Sequence, residues 1–151
     1  MNVPSFREPN TLDRVINRIF GLLVSGGLGL SHNYLLMVRG RRSGRLYRTP
    51  VNLLITDGRM FLVAPRGETQ WVRNARSSGE LWLKKGKREK HFQIRELADA
   101  DKPEILKLYL DRFRTTVQRY FSVQAGTEVQ SFVEVASEYP VFELESAGNK
   151  N

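Results

Sequence analysis

The chain has 151 residues, 40% apolar and 26% charged, the size and balance of one compact domain around one core. Its 24 Lys and Arg against 16 Asp and Glu leave a net charge of +8, suited to an anionic partner such as nucleic acid, a membrane surface or a phosphorylated small molecule. Zero cysteines exclude disulfides, zinc ribbons, thiolate nucleophiles and iron–sulfur ligation, and two histidines are too few for a multi-histidine metal site, so no metal is expected and any redox chemistry must be borrowed.

In chain order, residues 11–24 place Leu12, Val15, Ile16, Ile19, Phe20 and Leu23 on one face of a helix, with Asp13, Arg14, Asn17 and Arg18 opposite. Gly26 and Gly27 end it. The apolar stretch that follows Arg18 is broken by glycines, lacks a small-residue cleavage motif and falls short of the ~20 residues that cross a bilayer, so it reads as neither signal peptide nor span. Two roles fit the helix: packing on its own domain, or a peripheral membrane foot with a cationic flank, lodged through residues 11–30 on the inner face of the cell membrane. The expected location is the cytoplasm. The expected division is residues 1–30 as helix and Gly-rich loop, 31–146 as the folded domain, and 147–151 as a disordered tail.

From Tyr34 the period changes. Residues 34–38 form a continuous apolar run, and Val51, Leu53 and Ile55 alternate before Asp57-Gly58, a turn pair that tolerates positive φ twice and predicts a hairpin with 60–64. Residues 69–78 read as a short helix with Thr69 as side-chain cap and Gly79 as stop. Leu81-Trp82-Leu83 and residues 91–97 predict a second hairpin around Lys85-Gly86-Lys87, with His91 a strand residue outside any motif. Helical spacing returns with Ile105, Leu106, Tyr109, Leu110, Phe113 and Val117, Pro103 fitting the first turn. A shorter helix over 129–136 and a closing strand over 139–144 follow. The sum is an α+β domain of about six mostly antiparallel strands with helices at their ends, whose natural closed form is a small barrel. Strands joined as hairpins argue against a Rossmann domain, and neither G-x-G-x-x-G nor a P-loop pattern occurs.

The densest constellation is Arg39-Gly40-Arg41-Arg42-Ser43-Gly44-Arg45, followed by Arg48-Thr49-Pro50, between two predicted strands. Glycines free the backbone to turn N–H groups inward, guanidinium forks match phosphate or carboxylate oxygens, and Ser43 adds a hydroxyl. A solvated basic hairpin is the plainer alternative. Ala64-Pro65-Arg66-Gly67 ends a strand and Gln70-Trp71-Val72-Arg73-Asn74 opens a helix, so Arg66 and free helical N–H groups would make one pocket positive twice over. Trp71 would either wall a flat ring or fill the core.

The ordered set Gly40-Arg41-Arg42-Ser43-Gly44, Thr49-Pro50, Asp57-Gly58, Val63-Ala64, Arg66-Gly67 and Trp71-x-x-Asn74 resembles the deazaflavin-dependent nitroreductase and quinone reductase family, over about residues 34–97 and more weakly 139–144. The resemblance implies a split β-barrel using coenzyme F420, with FMN the second choice. It implies that Arg41, Arg42, Ser43 and Arg48 hold the phosphate and acidic tail, that Arg66 and Gly67 lie beside the phosphate, that backbone at Val63, Ala64 and Pro65 meets the deazaflavin edge, and that Trp71 and Asn74 close the side. The implied chemistry is hydride transfer to a quinone, a nitro compound or another electron-poor acceptor. Residues 125–138 contain no tyrosine, which leaves Tyr120 and Tyr139 as the nearby candidate proton donors. Two other readings stand beside the reductase: a non-catalytic carrier of the coenzyme, a flavin or another ligand, and a basic nucleic-acid-binding domain, ranked lower because its aromatics lie in apolar runs. A homodimer is an expected assembly.

Overall fold

The computed structural model describes residues 33–147. Six strands form a closed antiparallel barrel: β1 (Asn33–Arg39), β2 (Leu46–Thr56), β3 (Arg59–Val63), β4 (Glu80–Lys85), β5 (Arg88–Glu96) and β6 (Val141–Ser146), in the spatial order β1-β2-β3-β6-β5-β4. Helix α1 (Gln70–Ser78) links β3 to β4, and α2 (Pro103–Val117) lies between β5 and β6. The α+β barrel expected from the sequence is therefore the observed architecture. The expected helix over 11–24, and any membrane contact it makes, lies outside the described residues.

Both hairpin signals act as their chemistry dictates. Asp57 and Gly58 take φ of 52° and 72°, the paired left-handed conformation of a two-residue turn, and Gly86 at φ 60° turns β4 into β5. Gly79 stops α1 with φ 76°, its N–H donating to the Ala75 carbonyl at 2.8 Å. Thr69 does precede α1, but its side chain makes no capping hydrogen bond. The helix expected over 129–136 is instead two 3-10 turns, Val129–Phe132 and Ala136–Glu138. Phe132 and Ala136 are both buried, and four-residue spacing alone does not separate one α-helix from two tight turns.

Two apolar cores share the barrel wall. The interior is filled by alternate residues such as Leu36, Leu53, Leu62, Leu83, Phe92 and Phe142, joined by Val72 and Ala75 of α1. Outside it, α2 lays Leu106, Tyr109, Leu110, Phe113 and Val117 over Leu54, Phe61, Val63 and Val141. β3 is consequently buried on both faces, which is why its sequence reads as a continuous apolar run.

β2 is longer than the alternation suggested, running through Pro50. β1 pairs with β2 from Leu46 to Asn52, whereas β3 pairs with it only from Leu53 to Thr56. Pro50 thus lies where β2 has a neighbour on one side only, and its missing N–H breaks no ladder between two partners. Beyond Leu53, β2 and β3 part, and the barrel is split.

Candidate functional site

A cavity of about 1120 Å³ occupies that split. Its lining comes from β2 between Tyr47 and Asn52, the chain from Val63 to Arg66, the β1–β2 turn, the start of α1, and Tyr109, Thr116, Val117 and Tyr120. Among the described residues, five arginines line it, Arg41, Arg42, Arg48, Arg66 and Arg73, and no Asp or Glu does.

The β1–β2 turn is held by its own backbone. Gly40 N–H donates to the Arg45 carbonyl at 2.7 Å and Gly44 N–H to the Gly40 carbonyl at 3.0 Å. A Cβ on Gly40 would lie 2.5 Å from the Tyr47 ring, so only glycine lets that ring close over the turn. The turn's arginines then divide. Arg39 donates to the Gly44 carbonyl and lies over Trp82, Arg45 lies near Tyr47, and neither lines the cavity, whereas Arg41, Arg42 and Arg48 do.

Arg41 is tethered to α1. Its Nη1 donates to Asn74 Oδ1 at 2.7 Å and to Gln70 Oε1 at 3.0 Å, and its backbone N–H donates to the same Asn74 oxygen at 3.0 Å. Asn74 is only 5% exposed, so these bonds are sheltered from water. Every acceptor here is neutral, and Arg41 keeps its charge uncompensated. Arg42, Arg48, Arg66 and Arg73 line the cavity without a side-chain hydrogen bond or ion pair among the described residues, although Arg59, Arg76 and Arg95 elsewhere are matched to carboxylates.

The resemblance named eleven binding positions, and ten of them line this cavity: Arg41, Arg42, Ser43, Arg48, Val63, Ala64, Pro65, Arg66, Trp71 and Asn74. Gly67 does not; at φ 82° it closes the turn behind Arg66 through an N–H to the Ala64 carbonyl. Trp71 takes both roles weighed for it, packing against the barrel core 5.8 Å from the Phe142 ring and lining the cavity. Tyr120 lines the cavity. Its hydroxyl accepts from Arg119 Nη2 at 2.9 Å, which leaves its own proton to give. Tyr139 does not reach the cavity: it is 4% exposed, stacked on Phe121, and donates its hydroxyl to the Tyr120 carbonyl.

Several lining residues escaped the sequence reading. Arg73 follows Val72 on α1 and looks like one more helical surface charge. Tyr109 fits the apolar stripe of α2, and Asn52 is one polar residue in an apolar strand; only their meeting across the barrel wall marks them. Burial pushes the Tyr109 phenol up to about 12, while its interaction with the Asn52 side chain acts the other way.

The donor set fits an elongated anion with a flat head. Thr69 Oγ1 is buried on the cavity wall beside the first free N–H groups of α1 and has no hydrogen-bond partner among the described residues, an orphan that an anion's oxygen or a bridging water would satisfy. Arg41, Arg66 and Arg73 bring charge around that helix start, and Trp71 offers a planar wall. Among the described residues no group of three potential metal ligands occurs and no helix is long and apolar enough to cross a membrane.

Residues 14–138 match the family described as F420H(2)-dependent quinone reductase. No curated protein matches the chain. Among solved structures, an F420-H2 dependent reductase (FDR-A) is 18% identical with a TM-score of 0.52, over 76% of this chain and 94% of that one. A domain-swapped dimer is 17% identical with a TM-score of 0.54, over 90% and 100%. A FAD-binding protein from Mesorhizobium loti is 10% identical with a TM-score of 0.52, over 83% and 88%. At these identities the structures speak for the shared fold.

Proposed function

The chain belongs to the F420H(2)-dependent quinone reductase family, and from that premise we propose that its cavity takes the coenzyme's phosphate and acidic tail at the arginine end and its ring system along Val63–Pro65. The protein is an F420-dependent oxidoreductase; bound in reduced form, the deazaflavin supplies a hydride. The observation that carries the placement is the set of five lining arginines with no lining carboxylate among the described residues. A merely soluble basic surface would intersperse its signs, as this protein does at Arg59, Arg76 and Arg95.

In this reading the chain's own part is positioning. Arg41, fixed by Asn74 and Gln70, and the start of α1 hold the phosphate; Arg42 and Arg48 on the β1–β2 hairpin meet the tail. Trp71 and the β3 end confine the ring and keep water from one side. The space toward Tyr120 receives a quinone or nitro acceptor, and Tyr120 donates to it a proton restored from solvent. FMN is the second choice of guest, and a carrier role without an acceptor is the second choice of activity. Pairing of two chains and a membrane contact through residues 11–30 complete the proposal.

The test is a titration of the purified protein with oxidised coenzyme, followed by the coenzyme's absorbance and fluorescence, and then a turnover assay with reduced coenzyme and menadione. Saturable binding with turnover is expected. Binding without reduction of any quinone, nitroaromatic or enone would leave a carrier, preference for FMN would change the cofactor, and no saturable binding of either would remove the reading.

A further inference from the structure

We propose that Tyr109, oriented by Asn52, is the hydrogen-bond donor that holds the oxygen of the electron acceptor in the cavity. The inference rests on the reductase reading and adds to it a residue on α2, outside the segments that carry the family resemblance.

Asn52 and Leu54 are two residues apart on β2 and share a face, and Leu54 belongs to the core that contains Tyr109. Asn52 therefore projects toward the α2 side of the wall, where the Tyr109 phenol lies. A phenol hydroxyl on this wall carries one proton that it can donate into the cavity. Both residues line the cavity, although Tyr109 as a whole is only 1% exposed. Its ring is fixed edge-on by Phe113 at 5.1 Å and flanked by Phe121 at 6.3 Å, so the phenol has little freedom to turn away. Most of the α2 residues around it are apolar; a hydroxyl at this place is not needed for packing, which a phenylalanine would satisfy.

Position separates this pair from the anion end. Arg48 and Asn52 lie four residues apart on β2, about 13 Å in extended chain. An anchor at Arg48 and a hydroxyl beside Asn52 are thus set apart along one wall of the cavity. Reducing a quinone to its hydroquinone takes up one hydride and one proton. The hydride comes with the reduced coenzyme and the proton ultimately from water, while Tyr109 gives a hydrogen bond that strengthens as negative charge grows on the acceptor oxygen and is itself unchanged. A phenol with its ionisation pushed upward stays a neutral donor throughout.

The experiment uses the full chain with oxidised coenzyme, which cannot transfer hydride, and α-tetralone, a ketone of naphthoquinone shape, read by quenching of tryptophan fluorescence. Y109F is expected to bind coenzyme within about twofold of the parent protein and α-tetralone about three- to tenfold more weakly, the span of one lost neutral hydrogen bond. N52A, at a half-buried position, should weaken α-tetralone in the same direction with coenzyme affinity unmoved, and it stands in if Y109F does not fold. With reduced coenzyme and menadione, kcat/KM of Y109F should fall roughly tenfold or more. Unchanged α-tetralone affinity in Y109F and N52A, with coenzyme still bound, overturns the assignment of Tyr109 alone. Failure of the parent protein to bind coenzyme overturns the reductase reading instead.

Discussion

Asn74 is where fold and binding meet, and two substitutions pull them apart. Its side-chain oxygen accepts from the Arg41 backbone N–H at 3.0 Å and from Arg41 Nη1 at 2.7 Å, in surroundings that leave Asn74 5% exposed. N74A strands a sheltered backbone donor and leaves the guanidinium on Gln70 alone. The unsatisfied donor costs about 1–3 kcal/mol, which for a domain of this size lowers Tm by about 3–10 °C. The released Arg41 also loses its fixed aim, and one charge-assisted hydrogen bond of ~1.5–3 kcal/mol corresponds to roughly 10- to 150-fold in coenzyme affinity. N74D keeps an acceptor of the same shape and gives Arg41 an ion-pair partner, so thermal stability should be kept or raised while anion affinity falls, because one of the five lining charges is neutralised. Thermal unfolding and a coenzyme titration on the three proteins read the two quantities separately. The reasoning is refuted if N74D binds the coenzyme as tightly as the parent protein, or if N74A changes neither quantity.

Charge placement rather than net charge should govern binding, so R66A is expected to weaken the coenzyme at least tenfold while R59A, equal in charge lost, leaves affinity within twofold in the same titration. Hydrogen bonds from Arg59, aided by Arg95, hold the Glu143 carboxyl below its ordinary value of 4.5. A depressed carboxylate stabilises the fold fully above the unfolded value and loses that contribution as pH falls through the folded one; acid unfolding followed by circular dichroism should therefore show a stability loss beginning below about pH 4.5 that E143Q removes in part. At neutral pH E143Q should cost about 1–2 kcal/mol in urea unfolding, a figure reduced because both guanidinium groups are half exposed. Coenzyme affinity should also fall steadily with added salt, since the lining arginines stand at a cavity open to solvent.

Local chemistry that acts within four residues was legible before any coordinates. Asp57-Gly58 demanded a hairpin because both positions want positive φ, Gly79 demanded a helix stop, and the stripe from Leu106 to Val117 demanded a helix packed on one side. The arginine-rich turn was legible as a dense positive cluster, but its division was not: whether Arg39 and Arg45 leave the cavity depends on strand alternation and on Trp82 and Tyr47 as neighbours. The alternation of Val51, Leu53 and Ile55 shows only the second half of β2; its first half runs through Pro50, tolerable there because β2 has a neighbour on one side only. Thr69 has the sequence of a cap, yet its hydroxyl has no partner among the described residues and lies against the cavity, a role no local rule distinguishes. Tyr109 is not distinguishable in the sequence, since on an amphipathic helix a tyrosine counts as core until the strand opposite presents an asparagine.

The most direct measurement is a crystal structure of the protein soaked with oxidised coenzyme. The account predicts phosphate oxygens within about 3 Å of the first N–H groups of α1 and of at least two guanidinium groups among Arg41, Arg66 and Arg73, with the ring along Val63–Pro65 and the space toward Tyr109 still open. A coenzyme found elsewhere on the surface, or one in the cavity whose phosphate faces Tyr109 while the arginines point to solvent, would contradict it.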